Sequence, residues 1–220
     1  RAAPLAPQAG PLAGKKVALN PGHGLYYTTQ YNWQRSEISG IREDLVNAEI
    51  QMYVAQYLGN VGAMVIALRA LEKSSVDTYS GLPLWYDGAR EYLWYLGLPA
   101  WVWEAPGLSN LNRDIMARPY GANYYSADLL VSVHNNGGGG TGTETWYDTT
   151  GDYHNVASAQ ALATSLNNRV VNLIRARHNS GWTNRGVKPS AGGYGENHYA
   201  RMPAALIEVA GPIQNVEGVI

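Results

Sequence analysis

The chain of 220 residues contains no cysteine and no phenylalanine. Without thiols it has no disulfide, no thiolate nucleophile, no cysteine-ligated zinc and no iron–sulfur cluster. Any metal bound by side chains must therefore sit on His, Asp or Glu. The missing disulfides leave the redox compartment open. Charge is scarce as well: 15% of residues are charged and the formal net charge is −1. That balance argues against a polyanion binder acting through bulk charge, and so against a dedicated nucleic-acid protein. No run of about 18 apolar residues exists, so no membrane span is expected. The first residues lack a charged region followed by an apolar run, so no signal peptide is expected there.

What remains is a globular composition, with 45% hydrophobic residues, enough for one domain with a sizeable core. Residues 1–14 are rich in Ala, Pro and Gly and read as a linker or a disordered tail. Ordered structure is expected from Lys15. Residues 15–20 read as a strand halted by Pro21 and Gly22. Residues 43–58 read as a helix with Val46, Ile50, Tyr53, Val54, Tyr57 and Leu58 on one apolar face. Strands are expected at 63–68, 128–134 and 204–209, and a half-exposed edge strand at 143–148. Helices are expected at 109–118, ended or kinked by Pro119, and at 155–177. For the latter the apolar face is Leu162, Leu166, Val170, Leu173 and Ile174. The alternation predicts an α/β fold with a mostly parallel central sheet flanked by helices.

Residues 79–106 stand apart. Eight aromatics fall between Tyr79 and Trp103 amid Gly and Pro. The segment reads as an insertion with its own small apolar cluster: a lid, a platform for sugar rings, or a self-packed excursion.

In open α/β sheets, ligands bind beyond the carboxyl ends of the strands. The first strand runs into Asn20-Pro21-Gly22-His23-Gly24. The third ends at His134, ahead of Asn135, Asn136 and four glycines. The last carries Glu208, and a carboxylate inside an apolar strand is costly unless paired or useful. The first helix opens at Glu43. Four groups able to bind or assist a metal thus converge on one sheet edge. Two histidines and one carboxylate form a ligand set for catalytic zinc, and a further carboxylate nearby can take a proton from water.

Several blocks, in order, resemble the zinc-dependent N-acetylmuramoyl-L-alanine amidases of the amidase-3 family, which cleave bacterial peptidoglycan. The family's opening strand and D-P-G-H-G turn appear as VALNPGHG, and its E-K-D-x-N helix start as Glu43 to Asn47. Its R-x-x-x-A-N helix appears as Arg118 to Asn123, and its S-I-H-x-N strand end as Ser132 to Asn136. The G-T-E-T strand appears as Gly142 to Thr145, the N-R-G-V-K loop as Asn184 to Lys188, and the P-x-x-L-x-E strand as Pro203 to Glu208. The resemblance implies a single catalytic domain over 15–220 with the insertion at 79–106. It implies zinc held by His23, Glu43 and His134, with Glu208 as the catalytic carboxylate. It implies hydrolysis of the amide between N-acetylmuramic acid and L-alanine, an extracytoplasmic location, and a possible targeting domain outside this chain. Asn20 departs from the family's Asp, so the bond expected to orient His23 has changed. Asn136 is a candidate for holding substrate peptide or a turn residue. Arg185 is a candidate for meeting the stem peptide's carboxylate, or for a loop salt bridge. Glu144 is expected at the surface. Two other readings share these residues: a catalytically inactive cell-wall-binding module, and a zinc peptidase on the same scaffold.

Overall fold

The computed structural model describes residues 9–38, 40–135 and 141–210. Strands β1 (Lys16–Pro21), β4 (Met64–Ala67), β5 (Leu129–His134), β6 (Thr143–Asp148), β7 (Asn184–Ser190) and β8 (Ala204–Glu208) form one six-stranded sheet. Their order is β4-β1-β5-β8-β6-β7. All neighbours pair parallel except β6 and β8, which are antiparallel. A short hairpin, β2 (Leu25–Tyr27) with β3 (Tyr31–Trp33), leaves the sheet directly after β1. The helices are α1 (Glu43–Asn60), α2 (Ala89–Tyr95), α3 (Ala100–Trp103), α4 (Asn110–Tyr124), α5 (Val156–Arg177) and α6 (Gly195–His198). The α/β, mostly parallel architecture expected from the sequence is the one observed.

Local signals account for the element ends. Ser109 caps α4, its hydroxyl accepting from Asn112 N–H, and Asn155 caps α5 by accepting from Ser158 N–H. Pro119 does not end α4, which runs on to Tyr124. The segment 143–148 is no edge strand. β6 lies between β8 and β7 and is largely buried, while β7 takes the edge. An edge position is where a strand tolerates a proline, here Pro189.

Two helices present different faces from those the apolar pattern predicts. The buried residues of α1 are Glu43, Asp44, Asn47, Ala48 and Gln51, whereas Tyr53 and Tyr57 are exposed. The inward stripe is largely polar; Ala48, with Leu45 and Met52, joins the main core, and Val54, Ala55 and Leu58 join a small cluster with Val17, Leu19 and Ala63. In α5 the buried stripe is Ala159, Ala163, Asn167 and Val171, at strict i+4 spacing. Small residues let this helix lie close on the sheet; the larger Leu162 and Leu166 pack at its flanks, and Leu173 is exposed. Order also begins earlier than Lys15. Leu12 N–H donates to Val61 O at 3.0 Å, and its side chain packs on the cluster around Val17.

The aromatic segment does not form a cluster of its own. Leu84, Trp85, Tyr92, Leu93 and Val102 share the main core with Ala18, Leu68, Ala117 and Leu130. Leu93 is fully buried, and any Cβ added at Gly121 would meet its side chain at 2.8 Å. Truncating Leu93 to Ala is expected to cost about 2–5 kcal/mol, because packing this tight relaxes little around a cavity. Urea unfolding with a lowered midpoint and an unchanged slope checks it.

Arg69, fully buried, ties this segment to the sheet. Its guanidinium donates to the carbonyls of Asp87 (2.7 Å), Trp85 (3.0 Å), Asp44 (3.1 Å) and Gly22 (3.1 Å). Burial, with Asp77 and Glu91 nearby, pushes the Asp87 carboxyl up to about 8, against the opposing pull of Arg69. An acid whose folded pKa lies above its unfolded value near 4 holds its proton better in the native state. It lowers stability as pH rises from about 4 through 8. Asp87→Asn is therefore expected to match the parent near pH 4 and to exceed its Tm at pH 8 by about 3–10 °C. Thermal melts of both proteins across that range check it.

Candidate metal centre

β1, β5 and β8 run parallel and end on one edge, and each delivers a side chain there. The chain turns immediately after β1 at Gly22, His23 and Gly24. Gly22 N–H donates to Val133 O at 2.8 Å, keeping the turn beside β5. A Cβ at position 22 would stand inside the His134 imidazole, so only glycine lets the two segments meet. His23 adopts φ 68°, a left-handed conformation costing about 1 kcal/mol or more for a residue with a Cβ. That turn swings its imidazole back over the strand ends. His134 closes β5, and Glu43 opens α1.

The structure brings His23, Glu43 and His134 together. One ligand atom from each lies within 4.8 Å of the others, and all three residues are buried. His23 Nε2 lies 3.1 Å from Glu43 Oε1 and 3.1 Å from His134 Nδ1; His134 Nδ1 lies 3.6 Å from Glu43 Oε1. The carboxylate is held in place by the Asn135 N–H (3.1 Å) and the Asn47 side-chain amide (3.3 Å) on Oε1. Asn47 also donates to Gly22 O at 3.2 Å. Asp44 accepts from the N–H groups of Gly24 (2.8 Å) and Gln34 (3.2 Å), fixing both ends of the hairpin.

Burial, aided by His134 and Arg118, lowers His23 to about 4 even though Glu43 opposes it. Burial also opposes charge on His134, but the Glu196 and Glu43 carboxylates prevail and raise it to about 9. Burial pushes Glu43 up, yet its bonds to both histidines bring it well below the ordinary range.

Glu208 ends β8 in register with His134 on one side and Glu144 on the other. Residues facing each other across paired strands point to the same side of the sheet. Burial, then the carboxylates of Glu43, Glu196 and Glu144, raises Glu208 to about 7 against the pull of His134. Its Oε2 is buried without a hydrogen-bond partner among the described residues. Glu208 is outside the three-residue cluster.

Glu144 is buried rather than superficial: Arg185 Nε lies 2.9 Å from its Oε2, and Lys188 and Trp146 Nε1 also contact it. Antiparallel pairing with β8 draws it beside Glu208, which the reading of 143–148 as a surface strand could not convey. Arg185 lies on a strand, β7, and engages Glu144. Asn136 lies outside the described residues. Asn20 does not reach His23. Its amide donates to Ser132 Oγ at 3.0 Å and to Glu196 Oε2 at 2.5 Å.

Sequence reasoning missed Gln34, Arg69, Asp114 and Glu196. Gln34 and Glu196 sit in a loop and a four-residue helix without periodicity. The only available signal was charge confined to apolar surroundings, and at Glu196 even that was absent.

A mostly parallel sheet whose strand ends gather two imidazoles and a carboxylate defines an α/β protein with a candidate metal centre. The N-acetylmuramoyl-L-alanine amidase model, amidase-3, matches residues 17–217, and the chain belongs to that family of hydrolases. Solved structures share the fold. The N-acetylmuramoyl-L-alanine amidase from Clostridium difficile 630 is 22% identical with a TM-score of 0.56, over 91% of this chain and 81% of that one. Cwp6 from Clostridium difficile is 20% identical with a TM-score of 0.58, over 92% of this chain and 25% of that one. The amidase Ami1 from Mycobacterium smegmatis is 17% identical with a TM-score of 0.53, over 92% and 86%. No curated protein matches the chain in sequence. No helix among the described residues is long and apolar enough to cross a membrane.

Proposed function

We propose that the chain is a zinc-dependent hydrolase that cleaves the amide between N-acetylmuramic acid and the L-alanine of the stem peptide in peptidoglycan, outside the cytoplasm. The observation that carries this is the convergence of His23, Glu43 and His134 on one point, with Glu208 beside them in register. Two imidazole nitrogens and a single carboxylate oxygen are a donor set suited to zinc, and too rich in nitrogen for magnesium or calcium. Zinc held there would act as a Lewis acid on the amide carbonyl.

The chain's own residues supply the rest. Glu208 has a base strength matched to neutral pH, since burial and the surrounding carboxylates raise it to about 7. Its buried Oε2, without a hydrogen-bond partner among the described residues, accepts the proton of the attacking water and returns it to the departing L-alanine amine. Arg185 lies at the same edge through Glu144 and is the candidate contact for a stem-peptide carboxylate, and Asn136 is the candidate for holding the substrate peptide.

Incubating the protein with purified cell-wall sacculi and identifying the released ends tests the reading. New L-alanine amino termini, lost on chelation and restored by zinc, support it. Cleavage only between peptide residues would instead make the protein a peptidase. Tight zinc binding with no release would make it a binding module.

A further inference from the structure

Each histidine of the cluster has one ring nitrogen facing the shared point and a second facing away. His134 turns Nδ1 inward, and its Nε2 lies 3.3 Å from Glu196 Oε1. Among the described residues no hydrogen bond satisfies that Nε2, so the Glu196 carboxylate is the acceptor within its reach. His23 turns Nε2 inward, and its Nδ1 lies 3.4 Å from Gln34 Oε1. Gln34 cannot turn its amide around, because its Nε2 donates to Asp114 Oδ2 at 2.8 Å.

Both acceptors hang on one cation. Arg118, buried to 1% exposure, donates to Glu196 Oε1 (2.9 Å), Gln34 Oε1 (3.2 Å) and Asp114 Oδ2 (2.8 Å). The remaining oxygen of Glu196 accepts from Asn20, and Asn20 from β1 is held to Ser132 on β5. A carboxylate at position 20 would press against Glu196 at 2.5 Å, a like-charge contact in a buried site. Asn20 is neutral where Glu196 brings the charge.

We propose that Glu196 and Gln34 are the positioning residues of the metal centre, yoked by Arg118, each receiving the outward N–H of one histidine so that the opposite nitrogen is free to bind a cation. This rests on the zinc reading above. An acceptor on the outward nitrogen fixes which tautomer the ring adopts and raises the basicity of the nitrogen that faces the metal. Glu196 brings a full negative charge to this task and Gln34 a dipole, so the His134 side carries the larger effect. Asn20 sets the geometry by holding Glu196 against β1.

The test compares zinc affinity, by competition with a chromophoric chelator, for the parent, Glu196→Gln, Gln34→Ala and the double variant Asn20→Asp with Glu196→Gln. Cobalt replaces zinc in a parallel absorption measurement. Glu196→Gln keeps the shape of the side chain and removes its charge. It is expected to weaken zinc binding about 10–100-fold and to shift the cobalt spectrum, and Gln34→Ala to weaken it less. The double variant returns a carboxylate to the same hydrogen-bonded pair and is expected to recover most of the lost affinity. A structural role for Glu196 would move the melting temperature but not the cobalt spectrum, and it would not be rescued by a charge at position 20. Zinc binding in Glu196→Gln within twofold of the parent, with an unaltered cobalt spectrum, overturns the proposal while leaving the zinc reading intact. A parent protein that binds no zinc overturns both.

Discussion

Glu208→Gln is expected to retain one zinc per chain and the parent's fold, and to hydrolyse the muramoyl–alanine amide about 10²–10⁴-fold more slowly. The substitution removes the one group at the strand ends whose proton affinity suits both halves of the reaction, and leaves its volume in place. Because Glu208 stands outside the three-residue cluster, metal content is expected to be unchanged. The loss should fall on kcat, since Glu208 acts when the proton moves rather than when substrate docks. Thermal stability should rise slightly or hold, as a buried carboxyl crowded by Glu43, Glu196 and Glu144 is replaced by a neutral amide. Metal analysis alongside single-turnover rates on a muramoyl-peptide checks the split. Full turnover by this variant would remove Glu208 from the role of base.

His134→Ala is expected to lose both zinc and activity. The imidazole supplies one of three ligand atoms, and its removal leaves His23 and Glu43 with an incomplete set. It also removes the ring nitrogen that lies 3.3 Å from Glu196 Oε1, leaving Arg118 and Asn20 to hold that carboxylate. Removing a buried imidazole also leaves a cavity beside the sheet, at a cost of about 2–5 kcal/mol. The variant should therefore bind no zinc under dialysis, show no amide cleavage, and unfold at lower urea. Undiminished zinc content would take His134 out of the ligand set.

The sequence made much of this legible because the fold places chemistry at strand ends. The strands at 16–21, 129–134 and 204–208 announce themselves as apolar runs, and His23, His134 and Glu208 fall at or just past their last residues. What stayed hidden has physical reasons. The strand at 184–190 contains Gly186 and Pro189, which read as a loop until its edge position is known. The hairpin arms are three residues each, too short for alternation to register. The inward face of α1 departs from the apolar spacing because that spacing is a guide only where a helix packs on apolar neighbours. Here Glu43, Asp44 and Asn47 turn inward at the site, and Gln51 turns inward to the Val131 carbonyl. Buried cations such as Arg69 and Arg118 look like surface residues in any composition count, since their cost is cancelled by partners distant in sequence. Glu196 was invisible for the same reason: its partners come from β1, α4 and β5.

The Arg69 guanidinium reaches the turn before His23, the second residue of α1 and the start of the aromatic segment. These three stretches are consequently expected to open as one unit, because opening any of them strands a desolvated positive charge. Partial opening that exposes Trp85 and Leu93 would also dismantle the seats of His23 and Glu43. Damage to the aromatic segment, whether by a protease or by heat, is thus expected to disturb the candidate metal centre through Arg69.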